Sequence, residues 1–299
     1  MPQPARVQIV EVSPRDGLQA EERTLPTETK LELLERLADA GHTAIEATSF
    51  VSPTAVPQLA DADDLMTRLR RRPGVRYPVL VPNETGLERA LAAGADEVAV
   101  FVSASESYSR QNLRRSRDEA IATALAVAAS ATARGVRVRT YVSMVIADPD
   151  DGPTDPAEVA RIVARFIAVG ADEVSLGDTV GVGTTRHVRA LLDAQLDANI
   201  PIEQLAVHFH DTYGQGLANV LTAIELGVKV VDASIGGVGG SPFAKRAGGN
   251  LATEDVVWML DGMGIATGLD VHKLAESTSW LARQLGRELP GRAARALFA

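Results

Sequence analysis

The chain has 299 residues, 45% of them hydrophobic, 23% charged and 4% aromatic, with a formal net charge of -9. That is enough for one sizeable core or two small ones, and so acidic a balance disfavours nucleic acid as the main partner while leaving room for a local basic patch. There are no cysteines, which excludes disulfides, thiolate metal sites and cysteine nucleophiles. No run of sequence has the form of an export signal or a membrane span, so the expectation is a cytoplasmic protein with neither membrane nor nucleic acid as partner.

The first predicted strand, Val7 to Val12, is closed by Arg15 and Asp16. A helical pattern over residues 28–40 follows, and it ends in a phrase that recurs. The phrase reads Ala40-Gly41-His42-Thr43-Ala44-Ile45-Glu46, then Ala93-Gly94-Ala95-Asp96-Glu97-Val98, then Val169-Gly170-Ala171-Asp172-Glu173-Val174, and more loosely Leu226-Gly227-Val228-Lys229-Val230. Each copy is a helix end, a glycine and a β-branched run suited to a buried parallel strand. Further strands are predicted at 77–81, 136–142 and 204–210, and helices at 117–134, 156–169 and 216–226. About eight strand and helix units emerge, the number of a (β/α)8 TIM barrel, an α/β fold.

No linker divides the chain, so a single domain over residues 1–299 is expected, with residues from about 268 forming a C-terminal helical extension. The stretch from Pro290 to Ala299 reads as loosely held. An open doubly wound sheet is the competing architecture. It gathers ligands at one crevice, whereas Arg15, Asp16, Glu46, Asp178, His208 and His210 fall near the ends of several different strands, as in a barrel.

His208-Phe209-His210, followed by Asp211-Thr212-Tyr213-Gly214, carries the most chemistry. Two imidazoles two apart on a strand project from one face and can share a metal ion. With the carboxylate of Asp16 and the amide of Asn250 they suit a divalent cation such as Mg, Mn or Co. His42, His187 and His272 lack such company and read as surface or packing residues. The arginines at 110, 114, 115 and 117 read as a solvated helix entry.

Five blocks in order resemble the 3-hydroxy-3-methylglutaryl-CoA lyase family: residues 10–19, 45–53, 175–184, 206–219 and the glycine-rich stretch 236–255. The resemblance implies a TIM barrel and a retro-Claisen cleavage of a 3-hydroxyacyl-CoA to acetyl-CoA and a keto acid such as acetoacetate. It implies an acyl-CoA substrate, a divalent cation (Mg or Mn) on Asp16, His208, His210 and Asn250, and a homodimer. Arg15, Glu46, Asp178, His208 and Ser241 match catalytic positions. Arg15 is matched to the thioester oxygen, and Glu46 and Asp178 to proton transfer or, more simply, to support of their neighbours. Ser49, Ser175, Thr179 and Lys245 are the expected substrate contacts, with turn and strand-end hydrogen bonding the plainer role for the three hydroxyls.

The sequence departs from the family pattern at Ser241, where the family carries a cysteine on a mobile lid. A serine hydroxyl is a far weaker acid than a thiol. Thr54-Ala55 replaces a lysine and a tryptophan, and the segment 143–150, with Asp148 and Asp150, replaces one containing two cysteines. Reduced efficiency on 3-hydroxy-3-methylglutaryl-CoA, or another acyl chain, is expected. A Claisen condensing enzyme of the same superfamily is the first alternative, although Asp211-Thr212 replaces the Asn-Asp pair common there. A non-catalytic metal-binding barrel that holds an acyl-CoA is the second.

Overall fold

The computed structural model describes residues 4–240 and 248–297. Eight parallel strands form one sheet: β1 (Gln8–Glu11), β2 (Thr48–Ser49), β3 (Val79–Leu80), β4 (Glu97–Ser103), β5 (Arg137–Ser143), β6 (Glu173–Asp178), β7 (Leu205–Phe209) and β8 (Val230–Ala233). From β2 to β8 each strand pairs with its sequence neighbour, and β8 pairs in turn with β1. The ring closes between β1 and the segment before β2, where Glu11 N–H donates to the Ala44 carbonyl at 3.1 Å and Glu46 N–H to the Glu11 carbonyl at 2.8 Å. The result is the expected TIM barrel.

The helices between strands are α1 (Thr27–Asp39), α2 (Ala62–Arg68), α3 (Glu84–Ala92), α4 (Arg117–Ala133), α5 (Pro156–Ala168), α6 (Thr185–Asp197), α7 (Gly216–Glu225) and α8 (Thr253–Gly262). Their starts are encoded locally. Asn83 accepts from Gly86 N–H, Asp155 from Ala157 N–H, and Ser116 and Glu119 exchange bonds as a capping box; each satisfies amides that have no partner within the helix. Alternate strand residues such as Val174, Leu176, Val207, Phe209 and Val231 join the large apolar cluster with Leu33, Leu37, Val163 and Leu191 of the helices. The intervening residues face the barrel lumen.

Two findings correct the sequence reading. Ala44 and Ile45 form only isolated bridges, and strand geometry resumes at Thr48. The stretch from Pro290 is docked, not loose, among the described residues: α9 (Val271–Leu285) is followed by α10 (Arg292–Leu297). Asp255 accepts from Arg292 N–H at 3.1 Å and Ala293 N–H at 2.6 Å, and Arg292 reaches Asp211 at 3.0 Å. A cap supplied by another helix leaves no mark in the local pattern. No helix is long and apolar enough to cross a membrane among the described residues.

Candidate metal centre

The C-terminal ends of β1 and β7 bring the predicted ligands together. After β1 the chain makes a wide helical turn, Ser13–Gly17, in which Asp16 and Gly17 N–H both donate to the Val12 carbonyl, at 2.8 and 3.2 Å. Such widened turns occur at functional sites because they re-aim side chains. Here Asp16 is brought over β7, where His208 and His210 share one face. Ligand atoms of Asp16, His208 and His210 lie within 4.8 Å of one another. Asn250 joins them, pairing with His210 as an antiparallel bridge and donating its amide N–H to Asp16 Oδ2 at 2.8 Å.

The donor set fits a divalent cation. His210 is buried and its Nδ1 has no hydrogen-bond partner among the described residues. Burial, reinforced by His208, lowers its pKa to about 4, so the ring is the neutral imidazole that a metal needs. Burial pulls the Asp16 carboxyl up, but Arg15, His208 and the Asn250 amide outweigh it and hold it below its ordinary value. Gly239, at φ +121°, lies so close that a methyl there would strike the Asn250 amide and approach the Asp16 carbonyl at 3.4 Å.

Arg15 is fixed beside this group. Its Nε donates to Glu46 Oε2 at 2.7 Å and its Nη1 to Asp16 Oδ1 at 2.7 Å. Burial opposes its charge, but the two carboxylates prevail and raise its pKa. The guanidinium carbon lies 5.2 Å from the centroid of the Tyr141 ring, on which it stacks. Gln19 also donates to Asp16, at 2.8 Å.

A buried charged network beneath the site was not foreseen. Asp232 of β8 accepts from Arg139 at 2.6 and 3.1 Å and from Ser175 at 2.7 Å, and it lies 3.3 Å from His208 Nδ1. Arg139 also donates to Glu173 at 2.6 Å and to the Tyr141 hydroxyl at 2.7 Å. Burial alone would raise the Asp232 pKa, yet Arg139 and His208 bring it down to about 2. Its charge holds the His208 ring by Nδ1 and leaves Nε2, 3.8 Å from Asp16, for the centre. A carboxylate behind a ligating histidine sets tautomer and orientation. The legible signal was a pair of opposite charges, Arg139 and Asp232, inside apolar strands.

The remaining predicted residues separate. Asp178 ends β6 and is buried, but its oxygens accept from Gly181 N–H at 3.1 Å and Gly183 N–H at 2.7 Å. It thus secures the loop after β6, and its backbone carbonyl accepts from His210 N–H at 3.4 Å. Ser175 lies two residues deeper in the strand register than His208, donating to Asp232. Thr179 accepts from Met144 N–H at 3.1 Å. Ser49 is buried, and its hydroxyl has no partner among the described residues, as is true of Glu46 Oε1. Ser241 and Lys245 lie outside the described residues. At the mouth, Asp148 and Asp151 are engaged internally: Ser105 donates to both, at 2.7 and 2.9 Å, joining the loops after β4 and β5.

A family model described as HMGL-like matches residues 6–280. The mitochondrial hydroxymethylglutaryl-CoA lyase of Bos taurus is 47% identical over 293 residues, covering 98% of this chain and 90% of that protein. The solved structure of hydroxymethylglutaryl-CoA lyase from Pseudomonas aeruginosa matches with a TM-score of 0.96 and 44% identity, covering 100% of this chain and 99% of that one. An HMG-CoA lyase from Acinetobacter baumannii, solved in complex with coenzyme A and 3-methylmalate, matches with a TM-score of 0.93 and 36% identity, covering 98% and 95%. With a model spanning nearly the whole barrel and relatives this similar over their full length, the chain belongs to the HMGL-like family.

Proposed function

We propose that this protein cleaves 3-hydroxy-3-methylglutaryl-CoA, or a close 3-hydroxyacyl-CoA, to acetyl-CoA and a keto acid such as acetoacetate. The observation that carries this reading is Arg15, a fully charged and immobilised donor, set directly against the Asp16, His208 and His210 cluster. Asp16, His208, His210 and Asn250 would hold a divalent cation, Mg or Mn. When bound, it supplies a Lewis acid for the substrate's oxygens.

Breaking the bond between C2 and C3 sends an electron pair toward the thioester carbonyl, while the 3-hydroxyl gives up its proton and becomes a ketone. The new enolate carbon then takes a proton to become acetyl-CoA. Arg15 matches the first demand. Two of its nitrogens are occupied by Glu46 and Asp16, which leaves Nη2 as a fixed donor for the enolate oxygen. Such preorganised donors contribute to rate because they need no rearrangement as charge develops. Glu46 acts by holding Arg15, and its unpartnered Oε1 is available to a substrate hydroxyl. Asp178 holds the loop at the mouth. Ser49 is the best placed of the proposed substrate hydroxyls, being buried and unpartnered.

We assign a part in proton transfer to Ser241, whose weak acidity motivates a lower rate or a changed acyl preference. Lys245 is proposed to meet the acyl-CoA. Acetyl-CoA release from 3-hydroxy-3-methylglutaryl-CoA and from longer or branched 3-hydroxyacyl thioesters, for wild type and Ser241→Cys, tests this. A rise in rate with the cysteine, or a preference for another chain, is expected. Family-level rates in wild type with no gain from cysteine would count against it. A homodimer and a cytoplasmic location complete the proposal, although the bovine relative is named mitochondrial; light scattering on the purified chain tests the dimer.

A further inference from the structure

At the opposite end of the barrel from the metal centre, the starts of β1 and β8 border a cavity of about 310 Å³ lined by Arg6, Gln8, Gly41, Thr43, Lys229 and Thr267 among others. Its polar lining is one-sided. Arg6 and Lys229 make no ion pair among the described residues, in a chain where acidic side chains outnumber basic ones 39 to 30. Among the described residues no carboxylate lines the space. The acids nearest in sequence are engaged elsewhere: Asp39 pairs with Arg72 at 2.5 Å, and Asp270 caps α9 by accepting from His272 and Lys273 N–H at 3.0 and 3.2 Å.

The hydroxyls point the same way. Thr43 Oγ1 already accepts from Gln8 Nε2 at 3.3 Å, and Thr267 Oγ1 from Leu269 N–H at 3.2 Å. Each therefore has its own O–H left to donate, and Gln8 keeps a second amide hydrogen. The floor is rigid, because a side chain at Gly41 would collide with the Gly268 carbonyl. β1 and β8 hold Arg6 and Lys229 in place, with Gln8 N–H donating to the Lys229 carbonyl at 2.8 Å and Ala266 N–H to the Ala5 carbonyl at 3.1 Å.

We propose that this cavity is an oxyanion-binding site, separate from the metal centre, that takes a phosphate or carboxylate group of a small molecule. Two cations and three neutral donors line one space whose only side-chain carbonyl is the Gln8 amide oxygen, and they match the several lone pairs of such a group. The site stands independently of the lyase reading, since neither cation approaches the metal centre.

Isothermal titration of the full chain with inorganic phosphate, against chloride at matched ionic strength, tests it, with succinate as the carboxylate arm. Saturable binding of either oxyanion is expected, weakened at least tenfold in Arg6→Ala/Lys229→Ala and abolished in Arg6→Glu. Arg15→Met, which removes the cation at the metal centre, should leave the affinity unchanged. Both cations are exposed and make no ion pair among the described residues, so their loss should leave the melting temperature and acetyl-CoA release as in wild type. The relative affinities of phosphate and succinate identify the natural group. An absence of saturable heat, or binding that is lost in Arg15→Met and retained in Arg6→Ala/Lys229→Ala, overturns the proposal.

Discussion

Asp232 is the residue on which the geometry of the centre depends most, although it adjoins no predicted ligand along the chain. It holds His208 by Nδ1 and neutralises Arg139 across the lumen. Asp232→Asn keeps the shape and removes the charge, so metal affinity should fall about 10- to 100-fold, measured by calorimetry with Mn. An unchanged affinity would mean that the ring is oriented by packing alone. Arg15→Lys separates charge from shape. Lysine is a point charge that cannot bridge Glu46 and Asp16 while presenting a third fixed nitrogen. Its kcat should drop by about 100- to 1000-fold, the usual cost of losing an oxyanion donor, with Mn affinity changed only a few-fold. An equal loss in both would make Arg15 a support for Asp16 and not a partner of the substrate.

Among the elements, the loop after β8 shows how binding parts are tied to the frame. Glu254, at the start of α8, accepts from Gly236 N–H at 3.0 and 3.1 Å and from Thr278 of α9 at 3.2 Å. Burial pushes its pKa from 4.5 to about 8. The folded chain therefore keeps a proton that the unfolded chain releases, so stability falls as pH rises from about 4.5 to about 8 and then levels. Glu254→Gln abolishes this slope. It should melt close to wild type at pH 4.5 and above it at pH 9, by a few kcal/mol, on the order of 1.4 kcal/mol per unit of pKa shift. Parallel pH profiles for the two proteins would contradict the assignment.

Gly239→Ala should lose metal binding while the barrel stays folded, because the methyl would enter the space of Asn250. Circular dichroism paired with Mn titration checks this. Local signals of this kind were readable in the sequence. The glycine and β-branched phrases gave the strand order, and four predicted helices end within one residue of the observed bounds. What could not be read comes from contacts made at a distance. Arg139 and Asp232 are 93 residues apart, α10 is capped by Asp255 of another helix, and Asp178 turned out to hold its own loop because Gly181 and Gly183 fold back on it.

For the whole molecule, the barrel collects residues from strands far apart in sequence at one end, and its lumen carries charge where apolar layers are usual. Arg139 with Asp232 and Glu173, and Arg15 with Asp16 and Glu46, form two groups of charges in which every member has an opposite partner. A bound cation adds one more partner to Asp16. Saturating Mn should therefore raise the melting temperature, as any ligand of the folded state does, and the increase should vanish in His210→Ala. Calorimetric scans with Mn and with a chelator report it.

In the proposed function the cluster of Asp16, His208 and His210 beside Arg15 breaks a carbon-carbon bond in a 3-hydroxyacyl-CoA. Its most direct test is product analysis after incubation of purified protein with 3-hydroxy-3-methylglutaryl-CoA, with Mn or with chelator, for wild type and Asp16→Asn. Equal amounts of acetyl-CoA and acetoacetate are expected from wild type with Mn, and neither product with chelator or from the variant. Cleavage that persists in the metal-free protein, or Mn-loaded wild type that yields no acetyl-CoA from any 3-hydroxyacyl thioester, would contradict it.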